Sequence, residues 1–248
     1  MSNSVAIVTG GSSGIGRAIC IALASEGYQI VVVGLNLQRI KQTLSLLHCP
    51  EKHLGLPLDV TQEQDMEQMA NEAATAFGRI DLLIASAGVG RSVNLKRFMP
   101  YPTTVLPLSE WNTILNVNLK GVFLSNRAVL PQMMHQGWGH IINICSSTTP
   151  RGLRGEPYSP AYCASKFGVV GLTESLAQEV APKGIRVQAL FPGMVRTPMV
   201  AKTAIARRYG GNISAAELAT SVLYLINEPP DTISIHPHVL PLASLRRS

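Results

Sequence analysis

Short apolar runs alternate with segments of helical period along most of the chain. Six runs rich in Val, Ile and Leu predict strands, at Ser4–Thr9, Gln29–Gly34, Leu54–Leu58, Asp81–Ser86, His140–Cys145 and Arg186–Phe191. Because these runs are apolar at nearly every position, they indicate strands that are buried on both faces, as in a parallel sheet. Helical periods fill the intervals, over residues 14–26, 37–48, 62–77, 109–135, 160–181 and 215–227. The alternation predicts a single α/β domain with a doubly wound parallel sheet of about seven strands flanked by helices.

Three segments interrupt this alternation, at residues 89–108, 147–160 and 194–213. The first contains three prolines and cannot be one regular helix. All three follow predicted strands, so we expect them at the carboxyl edge of the sheet, where open α/β folds bind ligands. Long irregular segments at this edge are typical of lids and substrate walls. We therefore expect them to be substrate loops.

Two local signals concern the ends of elements. Thr61 with Gln64 three residues later fits a capping box at the start of the third helix. Near the end of the chain, Ile233–Leu242 predicts a final strand that contains two prolines. Proline cannot donate a ladder hydrogen bond, so this strand should be interrupted or lie at the sheet edge.

Composition narrows the class of protein. The chain has 248 residues, of which 46% are hydrophobic and 15% charged, which suits one large folded core. Its four cysteines have no metal-ligand spacing and are too sparse for a disulfide scaffold, so we expect reduced thiols and a cytoplasmic protein. The first residues lack the pattern of a signal peptide, and no apolar run is long enough to predict a membrane span. The six histidines do not cluster, so no metal site is expected.

A glycine-rich turn joins the first predicted strand to the first helix. It reads Thr-Gly-Gly-Ser-Ser-Gly-Ile-Gly over residues 9–16. Glycines at 10, 14 and 16 allow a tight turn and let a phosphate approach the backbone. The helix that follows offers free N–H groups and the positive end of its dipole. The position of this turn between the first strand and the first helix predicts a dinucleotide-binding site. A P-loop is excluded, because no Lys-Ser/Thr pair follows the last glycine.

This turn and five further motifs resemble the short-chain dehydrogenase/reductase family. The turn matches TGxxxGxG, and the other motifs follow in the family's order: Leu58-Asp59-Val60, Ala85-Ser86-Ala87-Gly88, Asn116–Gly121, Tyr162–Lys166 as YxxxK, and Pro192-Gly193 with Thr197. Ser86 departs from the family, which has Asn there. The resemblance implies that residues 1–248 form one Rossmann-fold domain that binds a dinucleotide and performs catalysis.

The catalytic residues follow from the motifs. Tyr162 and Lys166 are four positions apart, which places them on one face of a helix. The ammonium would stabilise the phenolate, so Tyr162 could exchange a proton with a carbonyl or alcohol oxygen. By resemblance, Ser146 stabilises charge on the substrate oxygen, with Ser147 as its rival. Asn118 would hold a water that relays protons from Lys166; the alternative is a buried Asn that satisfies backbone groups.

The resemblance also implies which residues contact the cofactor. These are Gly10, Ser12, Ser13, Gly14, Ile15, Gly16, Asn36, Arg39, Asp59, Val60, Ala87, Gly88, Tyr162, Lys166, Pro192, Gly193 and Thr197. In NAD-binding folds an acidic residue about twenty positions past the glycines binds the ribose 2′-hydroxyl. Here that region reads Gly34-Leu35-Asn36, without an acid. This favours NADP(H) over NAD(H), and Arg39 could reach a 2′-phosphate or could simply be solvated.

The chemistry expected is hydride transfer between a nicotinamide and a carbonyl or secondary alcohol carbon. A beta-ketoacyl thioester and a small carbonyl compound are both candidate substrates, because loop 89–108 is longer than in ketoacyl-carrier reductases. The family also implies a homodimer or homotetramer. A different class remains open, a catalytically silent cofactor-binding regulator or scaffold, although the complete set of catalytic residues disfavours it.

The net charge of +6 is unevenly distributed. Basic residues fall in the three expected substrate loops, at Arg91, Lys96, Arg97, Arg151, Arg154, Arg196, Lys202, Arg207 and Arg208. They could steer an anionic ligand such as NADP, a carboxylate or an acyl-carrier protein, or they could only solubilise exposed loops. No motif for nucleic-acid binding accompanies them.

Overall fold

The structure of the chain is a computed structural model. It describes residues 4–90, 101–147, 154–197, 199, 212–229 and 231–242. Most of the basic loop residues lie outside these ranges: Arg91, Lys96, Arg97, Arg151, Lys202, Arg207 and Arg208. Residues 91–100 of loop 89–108 also lie outside them.

A parallel sheet of seven strands forms the centre of the described fold. In chain order the strands are β1 Val5–Thr9, β2 Gln29–Gly34, β3 Leu54–Pro57, β4 Leu82–Ala85, β5 Gly139–Ile144, β6 Ile185–Pro192, β7 Val195–Arg196, β8 Ile213–Ser214 and β9 His238–Val239. The seven strands of the central sheet have the order β3-β2-β1-β4-β5-β6-β9. The other two strands, β7 and β8, form a separate two-stranded sheet. The order reverses between β1 and β4, which makes their carboxyl ends the topological switch point.

Seven α-helices cover both faces of the sheet in the described residues. They are α1 Gly14–Ser25, α2 Leu37–Leu44, α3 Glu63–Phe77, α4 Leu108–Leu115, α5 Gly121–Gln136, α6 Pro160–Val180 and α7 Ala215–Ile226. Side chains of β1 alternate between two cores: Ala6 and Val8 pack with α1 and α7, whereas Val5 and Ile7 pack with α3, α5 and α6. The predicted doubly wound α/β fold with about seven strands is therefore confirmed.

Two predictions about element ends need correction. The N-cap of α3 is Gln62, without a side-chain cap, so the capping box expected at Thr61 is absent. A capping box does form at Ser214 and Glu217, before α7. The final strand is only β9 rather than Ile233–Leu242, because Pro237 and Pro241 bracket it and limit its ladder. It pairs at the sheet edge, as its prolines require.

The helix predicted over residues 109–135 is interrupted near its middle. It consists of α4, a π-helical turn at Asn116–Lys120 and α5. Such turns widen the helix by one residue and are common at functional sites. Asn118, one of the predicted catalytic residues, is buried in this turn.

Candidate active site

The glycine turn brings the first strand and first helix against the end of β4. Gly10 has φ +67°, and a Cβ there would lie 2.8 Å from the Cα of Ala87. Gly16, the third residue of α1, packs so closely on Gly10 that a Cβ would collide with the Gly10 carbonyl oxygen. Gly10 thus needs both its positive φ and its missing side chain, and Gly16 needs to be small.

The amino end of α1 is open to an anion. Ser13 is the N-cap but its side chain makes no capping hydrogen bond, and the first turn carries no acidic residue. A Cβ on Gly14 (φ +53°) would lie 3.5 Å from Cγ2 of Thr197. The structure thus brings the Pro192–Thr197 motif to the glycine turn. Free N–H groups, the helix dipole and this narrow cradle fit the pyrophosphate of a dinucleotide.

Thr9 ties the two central strands together at the switch point. Its buried hydroxyl oxygen accepts hydrogen bonds from the backbone N–H groups of Ser86 and Ala87, both at 3.2 Å. These two hydrogen bonds place Ala87 and Gly88 beside the glycine turn. The Ser86 side chain, which replaces the family's Asn, is not part of this tie.

Asp59 and Val60 follow β3, on the far side of the switch point. The Asp59 N–H donates to the Asp65 carboxylate (2.7 Å), and Oδ1 of Asp59 accepts from the Thr61 N–H (2.9 Å). Val60 is buried, and a Cβ on Gly121 would lie 2.8 Å from Val60 Cγ2. The backbone here is thus held firmly, which fits a surface against which an adenine ring could lie.

The region after β2 contains two residues predicted to contact the cofactor, Asn36 and Arg39, and one that was not predicted, Arg17. Asn36 caps α2 by accepting the Arg39 N–H at 2.9 Å, and the Arg39 side chain is exposed. Arg17 reaches into the same region: its guanidinium donates to the Ser12 carbonyl oxygen (2.6 Å) and to the Thr43 hydroxyl (3.0 Å). The position of Arg17 directly after Gly16 was the available signal.

Tyr162 and Lys166 lie on α6, which begins at the carboxyl edge of the sheet. Lys166 is buried, and its Nζ donates to the carbonyl oxygen of Ile144 at 2.9 Å. The same Nζ lies 5.9 Å from the centroid of the half-buried Tyr162 ring. The ammonium is thus anchored at the end of β5 beside the phenol, as the YxxxK spacing predicts.

The Asn118 side chain is fully used within the protein. Its Oδ1 accepts the Val89 N–H (2.8 Å), and its Nδ2 donates to the Val89 carbonyl oxygen (3.1 Å) and to the Ser165 hydroxyl (3.3 Å). Ser165 in turn donates to the carbonyl oxygen of Tyr162 at 2.8 Å. These bonds match the alternative of a buried Asn that satisfies backbone groups, and they link β4, the π-helical turn and α6. The relay water stays a prediction.

The two candidate serines differ in their surroundings. Ser147 is buried; its hydroxyl donates to the Phe191 carbonyl oxygen (3.1 Å) and contacts Nδ1 of His238 (2.9 Å). Ser146 is half-buried, and its hydroxyl has no hydrogen bond within the described part of the chain. Ser146 is therefore the serine whose hydroxyl is available to a ligand.

Cys145, which precedes Ser146, is a structural thiol. Its Sγ donates to the carbonyl oxygen of Lys166 at 3.3 Å. Burial raises the pKa of this thiol, against the opposing effect of the Lys166 ammonium. The thiol therefore stays protonated and connects β5 to α6 rather than acting as a nucleophile.

Known proteins of one family resemble this chain along most of its length. A family model described as short chain dehydrogenase matches residues 4–207. The chain is 32% identical to a 3-oxoacyl-[acyl-carrier-protein] reductase of Thermotoga maritima, over 92% of each chain. It is 38% identical to a D-threitol dehydrogenase of Mycolicibacterium smegmatis, over 80% of this chain and 73% of the other.

Two solved structures are similar along the whole chain. One is a 3-ketoacyl-(acyl-carrier-protein) reductase of Brucella melitensis complexed with NADH, with a TM-score of 0.86, 26% identity and coverage of 98% of this chain and 99% of the other. The second is a levodione reductase, with a TM-score of 0.83, 29% identity and coverage of 99% and 98%.

The protein belongs to the short-chain dehydrogenase/reductase family. It is an NAD(P)-dependent oxidoreductase that acts on CH–OH or C=O groups.

Within the described residues, histidine, cysteine and acidic side chains form no group of three that could hold a metal ion. None of the helices described has the length and apolar character needed to cross a membrane.

Proposed function

We propose that the protein transfers a hydride between NADP(H) and a carbonyl or secondary alcohol carbon, with Tyr162, Lys166, Ser146 and Asn118 as its functional residues. The observation that carries the proposal is the arrangement at the end of β5. The Lys166 ammonium is bound to the Ile144 carbonyl oxygen beside the Tyr162 ring, and Ser146, with its uncommitted hydroxyl, follows Ile144 by two residues.

Each residue has a defined part. The Ser146 hydroxyl donates a hydrogen bond to the substrate oxygen and stabilises its developing charge. Tyr162 gives its phenolic proton to that oxygen in reduction and removes it in oxidation. Lys166 stabilises the phenolate by its positive charge. Asn118 holds the segments that carry Val89 and Tyr162 in register. The nicotinamide, when bound, supplies or accepts the hydride.

The glycine turn and the edge residues would hold the cofactor. The amino end of α1, with Ser12, Ser13 and Ile15, would bind the pyrophosphate. Asp59 and Val60 would face the adenine ring, and Ala87 and Gly88 would line the path towards the nicotinamide. Pro192, Gly193 and Thr197 would close the opposite side, since Thr197 already faces Gly14.

NADP(H) is favoured because residues 35–39, directly after β2, include no acidic residue and because two arginine side chains lie near this segment. Arg17 is held across the glycine turn and α2, and the Arg39 side chain is exposed on α2. We expect a kcat/KM at least tenfold higher with NADPH than with NADH at equal concentration. Arg39→Gln should lower the NADPH value and leave the NADH value unchanged. A preference for NADH in the unmodified protein would contradict the assignment.

A beta-ketoacyl thioester is the first substrate class to test, because 3-oxoacyl and 3-ketoacyl reductases occur in both sets of comparisons. A small carbonyl compound is the second, favoured by the long loop 89–108 and by the similarity to levodione reductase. An acyl-carrier protein would be the natural partner in the first case only.

The proposal includes a homodimer or homotetramer. Two large aromatic side chains on the helix layer of α3, α5 and α6 are exposed, Phe123 at 42% and Phe167 at 49%. Leaving such rings in water forgoes the free energy that their burial against a second copy would provide.

Absorbance at 340 nm with NADPH and a panel of carbonyl compounds tests the activity. The panel holds an acetoacetyl thioester, quinones, diketones and aromatic ketones. Tyr162→Phe should reduce kcat at least a hundredfold, because the proton donor is lost. Tyr224→Phe, which changes an exposed tyrosine of α7, is the matched control and should keep normal turnover.

Two outcomes would contradict the proposal. Full activity of Tyr162→Phe would remove the assigned proton donor. Tight NADPH binding without turnover of any panel member would instead favour a catalytically silent regulator or scaffold.

A further inference from the structure

The chain segment around β9 is hydrogen-bonded to β6 along the last part of the sheet. Backbone N–H groups of Ala189, Phe191 and Gly193 donate to residues 235, 237 and 239, at 3.0, 2.9 and 2.8 Å. A Cβ on Gly193 would lie 2.9 Å from Cδ of Pro241. The segment 235–241 therefore packs directly on the strand that borders the end of β5.

One side chain of this segment reaches the residue next to Ser146. Nδ1 of His238 lies 2.9 Å from Oγ of Ser147, and the same Oγ lies 3.1 Å from the Phe191 carbonyl oxygen. A serine hydroxyl has one proton. When Phe191 accepts that proton, His238 must donate its Nδ1–H to the Ser147 oxygen. The buried hydroxyl is then satisfied as donor and as acceptor.

The imidazole of His238 is held in place by its neighbours. It stacks on the Phe191 ring, with centroids 4.5 Å apart and an interplanar angle of 20°. His236 contacts the same ring edge-on at 5.4 Å and lies 3.3 Å from the carboxylate of Glu174 on α6. Both histidine rings thus contact the Phe191 ring, but only His238 bonds to Ser147.

Ser146 depends on its neighbours for its position. The N–H groups of Cys145 and Ser147 donate to the carbonyl oxygens of Leu190 and Pro192, both at 2.8 Å. These two bonds flank Ser146, whose own hydroxyl has no hydrogen bond in the described residues. The β5–β6 register ends at the Ile144–Leu190 pair, and the N–H and hydroxyl groups of Ser147 extend the contact with β6 beyond it.

We propose that His238 is a positioning residue for Ser146, acting through the hydroxyl of Ser147. The inference rests on the proposed function, in which Ser146 binds the substrate oxygen. It gives the unusual segment 233–242 a role, since its imidazole completes the hydrogen bonding of the strand end that carries Ser146.

Five variants test the bond through catalysis: His238→Phe, His238→Asn, Ser147→Ala, the Ser147→Ala/His238→Phe double variant and His236→Gln. His238→Phe keeps a ring on Phe191 but removes the donor, and kcat should fall about tenfold while the Kd for NADPH stays within twofold. His238→Asn places an amide N–H near the position of Nδ1 and should recover most of kcat. The Ser147→Ala/His238→Phe double variant should lose no more than the larger single loss, because both changes break one bond. His236→Gln is the matched control and should keep normal kcat.

A second readout does not depend on turnover. Hydrogen exchange of the peptide that covers residues 144–147, followed by mass spectrometry, should be faster in His238→Phe than in the unmodified protein and normal in His238→Asn. Unchanged exchange, or losses in kcat that multiply in the double variant, would overturn the role of His238. If the unmodified protein reduces no carbonyl while exchange still responds, the proposed function fails and the contact between His238 and Ser147 stands.

Discussion

At the scale of single residues, Gly16 shows how tightly the phosphate turn is built. A side chain there would meet the Gly10 carbonyl oxygen and carbon, and the Gly11 nitrogen at 3.0 Å. These are backbone atoms, which cannot move aside as a flexible side chain can. The turn and the start of α1 would have to separate to make room.

Gly16→Ala should therefore weaken NADPH binding by more than tenfold and lower the melting temperature by several degrees. Fluorescence titration with NADPH and thermal denaturation measure the two effects. Ser25→Ala, at the exposed end of the same helix, is the control and should change neither. Normal NADPH affinity in Gly16→Ala would mean that the turn does not bind the pyrophosphate.

The element that carries Tyr162 and Lys166 was predicted from the sequence. Both residues lie in the helix that the structure shows as α6, and positions four apart share one face of a helix. Motif spacing could not separate Ser146 from Ser147. That difference depends on His238 and Phe191, which are distant in sequence and meet Ser147 only in the folded chain.

At the scale of elements, the amino end of β5 is joined to the edge of the sheet by a buried polar network. The His140 ring nitrogen Nε2 bonds to the Gln188 side-chain oxygen, and Gln188 Nε2 donates to the carboxylate of Glu228 at 3.0 Å. Burial, with a smaller effect from Arg186, lowers the pKa of His140 from 6.5 to about 4, although Gln188 and Glu228 oppose the shift.

This shift predicts that acid destabilises the fold. Below pH 6.5 the unfolded chain takes up a proton on His140, whereas the folded chain does so only near pH 4. The free energy of unfolding should thus be fully retained above pH 6.5 and should fall by about 2–3 kcal/mol between pH 6.5 and 4. Urea denaturation at a series of pH values measures it.

His140→Gln should flatten this pH dependence, whatever its effect on stability at neutral pH. His135→Gln, which changes an exposed histidine of α5, should leave the slope as it is. An equal slope in His140→Gln and the unmodified protein would assign the acid sensitivity to other groups.

The interruption between α4 and α5 also belongs to this scale. Hydrophobic periodicity predicted one helix over residues 109–135 and did not reveal the π-helical turn at Asn116–Lys120. The π-helical turn directs Asn118 to Val89 at the end of β4 and to Ser165 on α6. Only packing against both elements selects this turn over a regular helix.

At the scale of the whole molecule, the exposed aromatic side chains bear on assembly. Phe123 and Phe167 belong to α5 and α6, and Arg127 lies over the Phe123 ring at 5.4 Å. A second copy that covers both rings would remove a large apolar area from water, which favours association.

Phe167→Asp should shift the protein from a dimer or tetramer to a monomer, because a carboxylate in such an interface loses its hydration. Size-exclusion chromatography with light scattering gives the mass of each species. Leu46→Asp introduces the same charge at another exposed apolar residue, 55% exposed on the α2 side, and should keep the assembly intact. A monomeric unmodified protein would contradict the assembly proposal.

The sequence by itself determined the α/β class, the order of strands and helices, the glycine turn and the Tyr162–Lys166 pair. These follow from local periodicity and from motifs confined to one turn or one helix. The tertiary structure decided the features that depend on distant residues: the commitment of Asn118 and Ser147, the position of Arg17 across the glycine turn, and the packing of His238 beside the strand that carries Ser146. Such contacts form only when separate segments meet, so no pattern within one segment can specify them.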